Sequence, residues 1–389
     1  MRATKAVIHL DYLKENITNI KKLVPENTLL CVPVKANAYG HGIIECAKTA
    51  VEAGASYLAI ATVDEGITLR QNGINVPLLI LSLPCDEELN DVCLNNITPL
   101  LFTVNQVKKF QKVCQENNYT NYQIHIAVDT GMGRIGCTVD NVKEVAQEIL
   151  SSPNLKLGGI MSHLCVSDSI TPEDKGFTQI QIKRFKKAVE KIEDAGVDMD
   201  NFICHLANSA ACLDLPETYT LGKKTMLRPG IIVYGYYPDQ INKEYLKKKN
   251  IQCNLKPVMQ LESMITSIKL FKKGDSVGYG RTWIADKDTY IGIIPAGYGD
   301  GVFRRFGKAG LKVSIGGKVY PVRGRICMDQ CMVDLGIECT VKEGDKVIIF
   351  GAKENGAHQT ADDLANETDT ISYEITTAIS DRVPRKYVK

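Results

Sequence analysis

The chain has 389 residues, with 47 Lys or Arg against 45 Asp or Glu, and its formal net charge is +2. So small a charge excludes the broad basic surface that binds nucleic acid. No apolar run approaches the length needed to cross a membrane. The length suits two or three domains, or one barrel with a smaller partner domain.

The thirteen cysteines are scattered along the chain rather than spaced as a framework. There is no CxxC motif and no Cys/His spacing typical of zinc, so no metal site is predicted. The first residues, MRATKAVIHLDYLKEN, lack the apolar segment of a signal peptide. We therefore expect a reduced, cytoplasmic protein.

The first part of the chain alternates short β-rich runs with amphipathic stretches. Helical patterns such as 42–55 and 179–197 separate most of these runs. The predicted strands are 29–35, 56–61, 76–82, 97–102, 122–128, 156–164, 201–207 and 230–235. Eight apolar strands separated by helices favour a parallel (β/α)₈ barrel. A doubly wound open sheet remains possible on this pattern alone.

After about residue 245 the pattern changes to alternating strands separated by turns such as KKGD and KEGD. The predicted strands here are 258–271, 289–295, 311–322, 331–335 and 345–350, followed by a helix near 361–367 and a final strand. Alternation of this kind is typical of antiparallel sheets with one buried face. The predicted fold class is α/β, a (β/α)₈ barrel followed by a mainly β C-terminal domain.

Several polar side chains follow the predicted barrel strands, where a barrel carries its active site. They are Lys35, Arg134, His163, Asn208, Ser209 and Arg228. A single lysine there could extend its ammonium to water, but three cations and a histidine together imply an anionic ligand.

A lysine in a barrel mouth has a well-known chemical use. Desolvation and nearby cations favour its neutral amine, which forms a Schiff base with a carbonyl of a substrate or of pyridoxal phosphate. A phosphate would also need a cradle. The backbone N–H groups near Gly230 and Ile231 and the hydroxyls of Ser209 and Tyr39 are candidates for that role.

Longer motifs now identify a family. The chain resembles the alanine racemases, barrel-type pyridoxal-phosphate enzymes, over essentially its whole length. The motifs that carry the resemblance are VKANAYGHG (34–42), DTGMGRIG (129–136), HLANSAA (205–211), RPGIIVYG (228–235), VGYGRTW (277–283), PAGYGDG (295–301), GRICMDQCMVDL (324–335) and SYE…SDRVPR (372–385). The resemblance implies an amino-acid racemase that interconverts L- and D-alanine.

The resemblance also implies catalytic roles. Lys35 would hold the cofactor and move the Cα proton on one face, and Tyr279 would act on the opposite face. His163 would link Tyr279 to Arg228, which would face the pyridine nitrogen. Because an arginine keeps its proton, that nitrogen would stay unprotonated, which favours return of the proton to Cα. Decarboxylases that share this fold carry an acidic residue there.

The resemblance also implies residues that bind the cofactor, residues that bind the substrate, and residues that line the access corridor. The cofactor ligands would be Tyr39, Asn208, Ser209, Gly230, Ile231 and Tyr373. The substrate carboxylate would meet Arg134 and the backbone N–H of Met328. The access corridor would include Tyr298, Arg304, Arg325 and Asp168, for which ordinary surface ion pairing is an equally good explanation.

The family's sites are shared between the subunits of a homodimer. Residues 9–240 would form the barrel, while 1–8 and 241–389 would form the β domain that reaches the partner's site. Tyr279, Tyr298 and Met328 would therefore act in the neighbouring subunit.

One position departs from the family pattern. Many members carry a carbamylated lysine two residues before the aspartate of DTGMGR, and this chain has Ala127 there. Arg134 would then need another anion, such as chloride, to steady it, or would be looser.

Alternative functions remain at this point. A racemase for serine or a basic amino acid is the nearest alternative, although the bulky Tyr373 favours a small substrate. A decarboxylase is disfavoured by Arg228. A non-catalytic cofactor-binding protein is disfavoured by the presence of Tyr279 and Met328. The sequence leaves open substrate breadth, catalytic efficiency and a biosynthetic or catabolic role.

Overall fold

The computed structural model describes residues 2–389, and a closed parallel barrel occupies the first half of the chain. Neighbouring strands pair in chain order, and the last pairs with the first. The eight strands are Leu29–Pro33, Tyr57–Ile60, Leu78–Ile80, Ile97–Thr98 with Leu100–Leu101, Tyr122–Ala127, Leu155–Met161, Ile203–His205 and Lys224–Leu227. Closure rules out the doubly wound alternative, because an open sheet has two unpaired edges.

The fourth strand is interrupted by Pro99. Its first half pairs with Leu78–Ile80 and its second half pairs with Tyr122–Ala127. Pro99 has no N–H to donate to a ladder, but its carbonyl accepts from the N–H of His125 at 3.0 Å. The break therefore removes little of the hydrogen bonding between strands, and the barrel sheet continues through it.

The eighth strand was predicted wrongly at 230–235. The strand is Lys224–Leu227, and Ile231–Tyr234 is a 3₁₀ helix whose four residues are all buried. An apolar run buried on every side carries no periodicity that separates strand from helix. The turn at its end needs Gly235, which has φ +91° and whose added Cβ would lie 1.8 Å from the carbonyl oxygen of Lys256.

Helices surround the barrel. They are Leu10–Lys21, Ile43–Glu52, Val63–Gln71, Leu89–Leu94, Val104–Glu116, Val142–Leu150, Pro172–Glu193 and Ala211–Asp214, followed by Lys243–Lys248. The helix expected over 179–197 begins earlier, because the Thr171 hydroxyl accepts from the N–H of Asp174 and Pro172 occupies the first turn. Short 3₁₀ turns lie at Asp86–Glu88 and Pro216–Thr218.

A second sheet contains nine strands and is antiparallel except at one edge. In spatial order they are Ser267–Phe271, Thr289–Ile294, Cys331–Gly336, Lys318–Arg323, Lys312–Ile315, Lys346–Phe350, Met259–Met264, Lys5–His9 and Arg385–Val388. Lys5–His9 pairs antiparallel with Met259–Met264 and parallel with Arg385–Val388. The predicted class, a barrel followed by a mainly β region, is confirmed.

Smaller elements complete this second region. A hairpin joins Ser276–Val277 to Trp283–Ile284. The helices are Arg304–Lys308, Ala361–Glu367 and Ser372–Thr377, with 3₁₀ turns at Tyr279–Arg281, Tyr298–Asp300 and Lys353–Asn355. The helix predicted at 361–367 lies where expected. Across residues 2–389, no helix combines the length and apolar character that crossing a bilayer requires.

The barrel interior is closed beneath its mouth by side chains from all eight strands. Cys31, Leu79, Ala127, Met161 and Met226 belong to one buried cluster there. A much larger cluster lies between the barrel and its helices and continues into the second sheet. The barrel is therefore a packed core, and its mouth can form a cavity with a solid floor.

Candidate active site

A cavity of about 660 Å³ lies at the mouth of the barrel. Ten of the predicted site residues line it: Lys35, Tyr39, Arg134, His163, Asp168, Asn208, Ser209, Arg228, Gly230 and Tyr373. Nine of them come from segments that follow several different barrel strands, which is how a barrel assembles a site, and Tyr373 comes from the helix Ser372–Thr377 of the second region. Six of the predicted residues are not among those that line the cavity: Ile231, Tyr279, Tyr298, Arg304, Arg325 and Met328.

Lys35 begins a left-handed helical turn, Lys35–Tyr39. Ala36, Asn37, Ala38 and Tyr39 all have φ between 51° and 54°. Each such residue costs about 1–2 kcal/mol for an L-amino acid, so the surroundings must hold the turn. This turn brings Lys35 and Tyr39, four residues apart, to the same cavity.

Side-chain acceptors support the left-handed turn at both ends. The N–H of Ala36 donates to Glu65 Oε1 at 2.6 Å, and the N–H of Ile43 donates to Asn37 Oδ1 at 2.8 Å. Glu65 also caps the helix Val63–Gln71 in a capping box with Thr62. Glu65 was not among the site residues predicted from the sequence, although the TVDE segment is a recognisable capping signal.

The environment of Lys35 favours its neutral amine. Burial lowers the pKa of Lys35, the positive charge of Arg134 lowers it further, and Glu65 acts in the opposite direction. Among residues 2–389, no acceptor receives a hydrogen bond from Lys35 Nζ. A buried lysine with a lowered pKa is the usual form of a nucleophilic amine.

Arg228 is buried and is held by a chain of side chains in the barrel. Its Nη1 donates to His205 Nδ1 at 3.0 Å, and His205 Nε2 lies 2.8 Å from His125 Nδ1. Because an arginine only donates, His205 must carry its proton on Nε2 and donate it to His125. Burial lowers the pKa of His125 to about 3 and that of His205 well below its ordinary value.

His125 and His205 were not among the site residues predicted from the sequence. The signal was available, because each interrupts an apolar barrel strand, in YQIHIAV and NFICHLA. A histidine fully enclosed in such a strand needs a partner for each ring nitrogen. His205 partners Arg228 and His125, and the second nitrogen of His125 lies 3.4 Å from Gln123 Nε2, so His205 orients the guanidinium directly and His125 does so through His205.

Of the other two guanidinium nitrogens of Arg228, Nη2 is hydrogen-bonded within the described chain and Nε is free there. Arg228 Nη2 donates to the carbonyl oxygens of Ser162 at 2.6 Å and Leu206 at 3.1 Å, and it lies 3.3 Å from His163 Nδ1. Arg228 Nε has no acceptor among residues 2–389 and is left free for a ligand. Burial, followed by the charges of Arg228 and Arg134, lowers the pKa of His163 to about 3.

Hydroxyl and N–H groups converge on Gly230. Its N–H donates to Ser209 Oγ at 2.9 Å, and a Cβ added there would lie 3.2 Å from Tyr39 Oη and 3.3 Å from Ser209 Oγ. The ring of Tyr373 is centred 5.7 Å from that of Tyr39. The N–H of Ile231 has no acceptor within the described chain. Such a cluster of uncharged donors is a typical phosphate site.

Asn208 and Asp168 differ in how they are held. Asn208 Oδ1 accepts from Ser167 Oγ at 2.9 Å and from the N–H of Ala211 at 3.2 Å, so this side chain braces the loop. Asp168 is half-buried, and burial raises its pKa. No ion pair to Asp168 is found between residues 2 and 389, which leaves its carboxylate open to the cavity.

Arg134 follows a turn that is fixed by Asp129. The Asp129 carboxylate accepts from the N–H groups of Gly131 and Gly133 at 2.8 and 3.0 Å. Arg134 itself makes no hydrogen bond or ion pair with residues 2–389. Ala127 is buried in the barrel interior, where its methyl group offers no anion for Arg134.

Tyr279, Tyr298 and Met328 project from the second region and remain accessible. Their exposed fractions are 70%, 40% and 53%. The N–H of Met328 donates to no acceptor in the described part of the chain. Arg304 and Arg325 are exposed as well. A cluster of exposed aromatic and apolar residues is typical of an interaction surface.

Two family models together match most of the chain. The model described as "Alanine racemase, N-terminal domain" covers residues 8–238, and "Alanine racemase, C-terminal domain" covers residues 258–387. The chain belongs to the alanine racemase family. An alanine racemase of Treponema denticola is 42% identical over 393 residues, which span 100% of this chain and 99% of that protein.

Solved structures of alanine racemases have the same fold. The alanine racemase of Clostridium difficile 630 is 35% identical with a TM-score of 0.89, over 100% of this chain and 96% of that one. The alanine racemase of Bacillus anthracis, solved with bound L-Ala-P, is 32% identical with a TM-score of 0.88, again over 100% and 96%.

Alanine racemases depend on pyridoxal 5'-phosphate, and the cavity suits that group. Lys35 offers an amine with a lowered pKa, and Arg228 offers an unpaired Nε–H in the same cavity. The space beside Gly230 is bordered by the hydroxyls of Tyr39 and Ser209, and the N–H of Ile231 has no acceptor in the described chain. An amine, a ring-nitrogen donor and an anion cradle are the three sets of contacts that this cofactor requires.

Proposed function

We propose that this protein interconverts L-alanine and D-alanine with pyridoxal 5'-phosphate as its cofactor. The observation that carries the proposal is the pairing of Lys35 and Arg228 in one cavity, within a chain that aligns end to end with alanine racemases. An arginine opposite the ring nitrogen separates a racemase from decarboxylases of this fold, which carry an acid there.

The residues that would hold the cofactor follow from the cavity. Lys35 Nζ would bind it covalently, and Arg228 Nε would donate to its ring nitrogen. Its phosphate would be held by the hydroxyls of Tyr39, Ser209 and Tyr373 and by the N–H groups of Gly230 and Ile231. When bound, pyridoxal phosphate withdraws electrons from the Cα–H bond of an amino acid and makes that proton removable.

The protein groups then move the proton. Lys35 Nζ, whose pKa is lowered by burial, would take or return the Cα proton on one face. Tyr279 Oη of the partner subunit does the same on the other face, which inversion of the stereocentre requires. Arg134 and the N–H of the partner subunit's Met328 bind the carboxylate and keep Cα between the two groups.

Arg228 determines the fate of the substrate. It stays charged at neutral pH, so it would donate a hydrogen bond to the ring nitrogen without protonating it. The chain through His205 and His125 keeps the guanidinium oriented, and the second hydrogen bond to His163 connects it to the opposite face. With its ring nitrogen unprotonated, the cofactor would withdraw electrons less strongly, so return of the proton to Cα would be favoured over side reactions.

The arrangement between subunits is also part of the proposal. We infer that residues 9–240 act as the cofactor domain and that 1–8 with 241–389 form the domain that completes the partner's site. The support is that Tyr279 and Met328 are exposed and do not line their own cavity. A cytoplasmic location agrees with all thirteen cysteines being free thiols.

A stereochemical assay tests the activity. Purified protein with added cofactor is incubated with single enantiomers of alanine, serine, lysine and ornithine, and the product enantiomer is measured. We expect the highest kcat/KM with alanine. Faster turnover of serine or of a basic amino acid would replace the substrate assignment, while absence of racemisation with all four would overturn the function.

Borohydride reduction tests the cofactor site. The yellow absorbance of the protein should disappear, and mass spectrometry of peptides should find the reduced adduct on Lys35. The matched control is Lys48, an exposed lysine in the following helix that pairs with Glu45. An adduct on Lys48 or elsewhere, with Lys35 unmodified, would refute the assignment of Lys35.

Mixed dimers test the shared site. Lys35→Ala and Tyr279→Phe should each be inactive alone, and re-associating them should restore about a quarter of the sites in a two-fold symmetric dimer. The control mixes Lys35→Ala with a chain that carries both substitutions, where no intact site can form. Equal activity in both mixtures would contradict sharing between subunits.

A further inference from the structure

The turn that carries Met328 is held in place by a group of charged side chains around the buried Asp300. Asp300 is fully buried in the 3₁₀ turn Tyr298–Asp300, and its Oδ2 accepts from the N–H of Gly297 at 3.0 Å. Its Oδ1 accepts from Arg2 Nη1 at 2.5 Å and from Arg382 Nε at 2.7 Å. A buried carboxylate with three donors is a rigid anchor, because its charge is fully compensated.

Arg382 connects this anchor to the Met328 turn. Its Nη2 donates to Asp329 Oδ1 at 2.8 Å and to the carbonyl oxygen of Met328 at 3.4 Å. One guanidinium therefore contacts Asp300 with one edge and the turn with another. The planar fork of arginine permits this double contact, whereas a lysine ammonium would have to choose between the two.

The two turns are also in close backbone contact. The N–H of Tyr298 donates to the carbonyl oxygen of Cys327 at 3.0 Å, and that of Gly299 donates to the carbonyl oxygen of Met328 at 2.9 Å. A Cβ added at Gly297 would lie 2.3 Å from Cys327 O and 2.4 Å from Met328 O. Only glycine allows this approach, so the two turns behave as one unit.

One group of this unit is left without a partner. The carbonyl of Met328 is used twice, but its N–H donates to no acceptor among residues 2–389, and the side chain is 53% exposed. An N–H that is fixed in direction yet unpaired is a preorganised donor for an anion that arrives from outside.

We propose that Arg382 is a positioning residue for substrate binding, which holds the Met328 N–H in the direction that the substrate carboxylate of the neighbouring subunit requires. The inference rests on the proposed shared site. Arg382 touches neither substrate nor cofactor; it acts through Asp300 and Asp329 on the turn. The N-terminal Arg2 supports the same carboxylate, so the two ends of the chain converge on this unit.

The test compares three variants of the full-length enzyme with added cofactor. Arg382→Gln should raise KM for alanine by about tenfold, the value of one well-directed hydrogen bond to a charged group, with kcat nearly unchanged. Asp329→Asn, which alters an exposed partner of Arg382 and spares Asp300, should raise KM by a smaller factor. Lys272→Gln, which removes an exposed ion pair with Asp288 in the same sheet region, should leave KM unchanged.

Mixed dimers separate positioning from folding. When Arg382→Gln is combined with Lys35→Ala, the working site takes Lys35 from the first chain and the Met328 turn from the second, whose Arg382 is intact. KM at that site should return to the wild-type value, and cofactor affinity should be the same in Arg382→Gln, Asp329→Asn and Lys272→Gln as in the wild type.

Three results would overturn the inference: a wild-type KM in Arg382→Gln, a raised KM that persists in the mixed dimer, or a parallel loss of cofactor affinity. Failure of the proposed function itself would look different, because the wild-type protein would then not racemise alanine at all.

Discussion

Replacing Gly230 by alanine adds a single methyl group where the phosphate of the cofactor is expected to lie. The added Cβ would be 3.2 Å from Tyr39 Oη and 3.3 Å from Ser209 Oγ, which is closer than an ordinary van der Waals contact of about 3.5–4.0 Å. The backbone there has φ −90°, outside the left-handed region, so the substitution acts mainly on the space between the hydroxyls.

The magnitude follows from the contacts that the methyl group disturbs. A hydrogen bond to a charged group contributes about 1.5–3 kcal/mol, and about 1.4 kcal/mol corresponds to a tenfold change in affinity. Loss of one hydroxyl contact in the cradle should therefore weaken cofactor binding by roughly ten- to a hundredfold. Because the floor of the barrel is untouched, the thermal midpoint of the cofactor-free protein should change little.

The assay is a titration of cofactor-free protein with pyridoxal phosphate, followed by absorbance. Gly176→Ala is the matched control, because Gly176 lies in the helix Pro172–Glu193 with no atom within 4 Å of an added Cβ. That variant should bind the cofactor as the wild type does. If Gly230→Ala also bound with wild-type affinity, the phosphate would lie elsewhere and the cradle assigned to Tyr39 and Ser209 would be wrong.

Three further predictions concern stability. The buried His41, His125 and His163 have pKa values lowered to about 4, 3 and 3. The folded state therefore binds fewer protons than the unfolded state below about pH 6.5. Urea midpoints should be highest above that pH and fall progressively as the pH drops toward 4, and the fall should be less steep in His125→Gln. Phe110→Ala should lower the free energy of unfolding by about 3–5 kcal/mol in urea titrations, because the ring is fully buried. Thr62→Ala should cost about 1 kcal/mol through loss of the helix cap, seen as a lower thermal midpoint.

Each of these predictions has a clear contrary outcome. Urea midpoints that were equal at pH 7 and pH 5 would show that the buried histidines protonate without cost. A loss below about 1 kcal/mol in Phe110→Ala would mean that the core closes around the missing ring. An unchanged midpoint in Thr62→Ala would mean that Glu65 alone holds the start of the helix Val63–Gln71.

Much of the architecture was predictable because its signals are local. Apolar runs of four to eight residues and alternating strands marked both sheets, and the helix Ala361–Glu367 has a capping threonine immediately before it. Barrel closure was not local: it depends on the pairing of Lys224–Leu227 with Leu29–Pro33, two segments almost two hundred residues apart. The strand was misplaced to 230–235 because that run is more apolar than the true one.

The site was predictable to a different degree. Residues within long motifs, such as Lys35 and Arg228, could be named from resemblance, and the cavity brings them together. The left-handed turn after Lys35 could not be foreseen, because no propensity favours four non-glycine residues there. His205 and His125 could have been suspected, but only the structure joins them to Arg228. Arg382 acts through contacts that no spacing reveals.

The position of the first strand affects the order in which the polypeptide can acquire its structure during synthesis. Lys5–His9 leaves the ribosome before the barrel strands, but its partners in the second sheet, Met259–Met264 and Arg385–Val388, are made after them. The barrel can close once Lys224–Leu227 has been synthesised, whereas Lys5–His9 stays unpaired until its partner strands are made. Removal of residues 385–389 would therefore expose one edge of Lys5–His9 and leave that strand paired only with Met259–Met264.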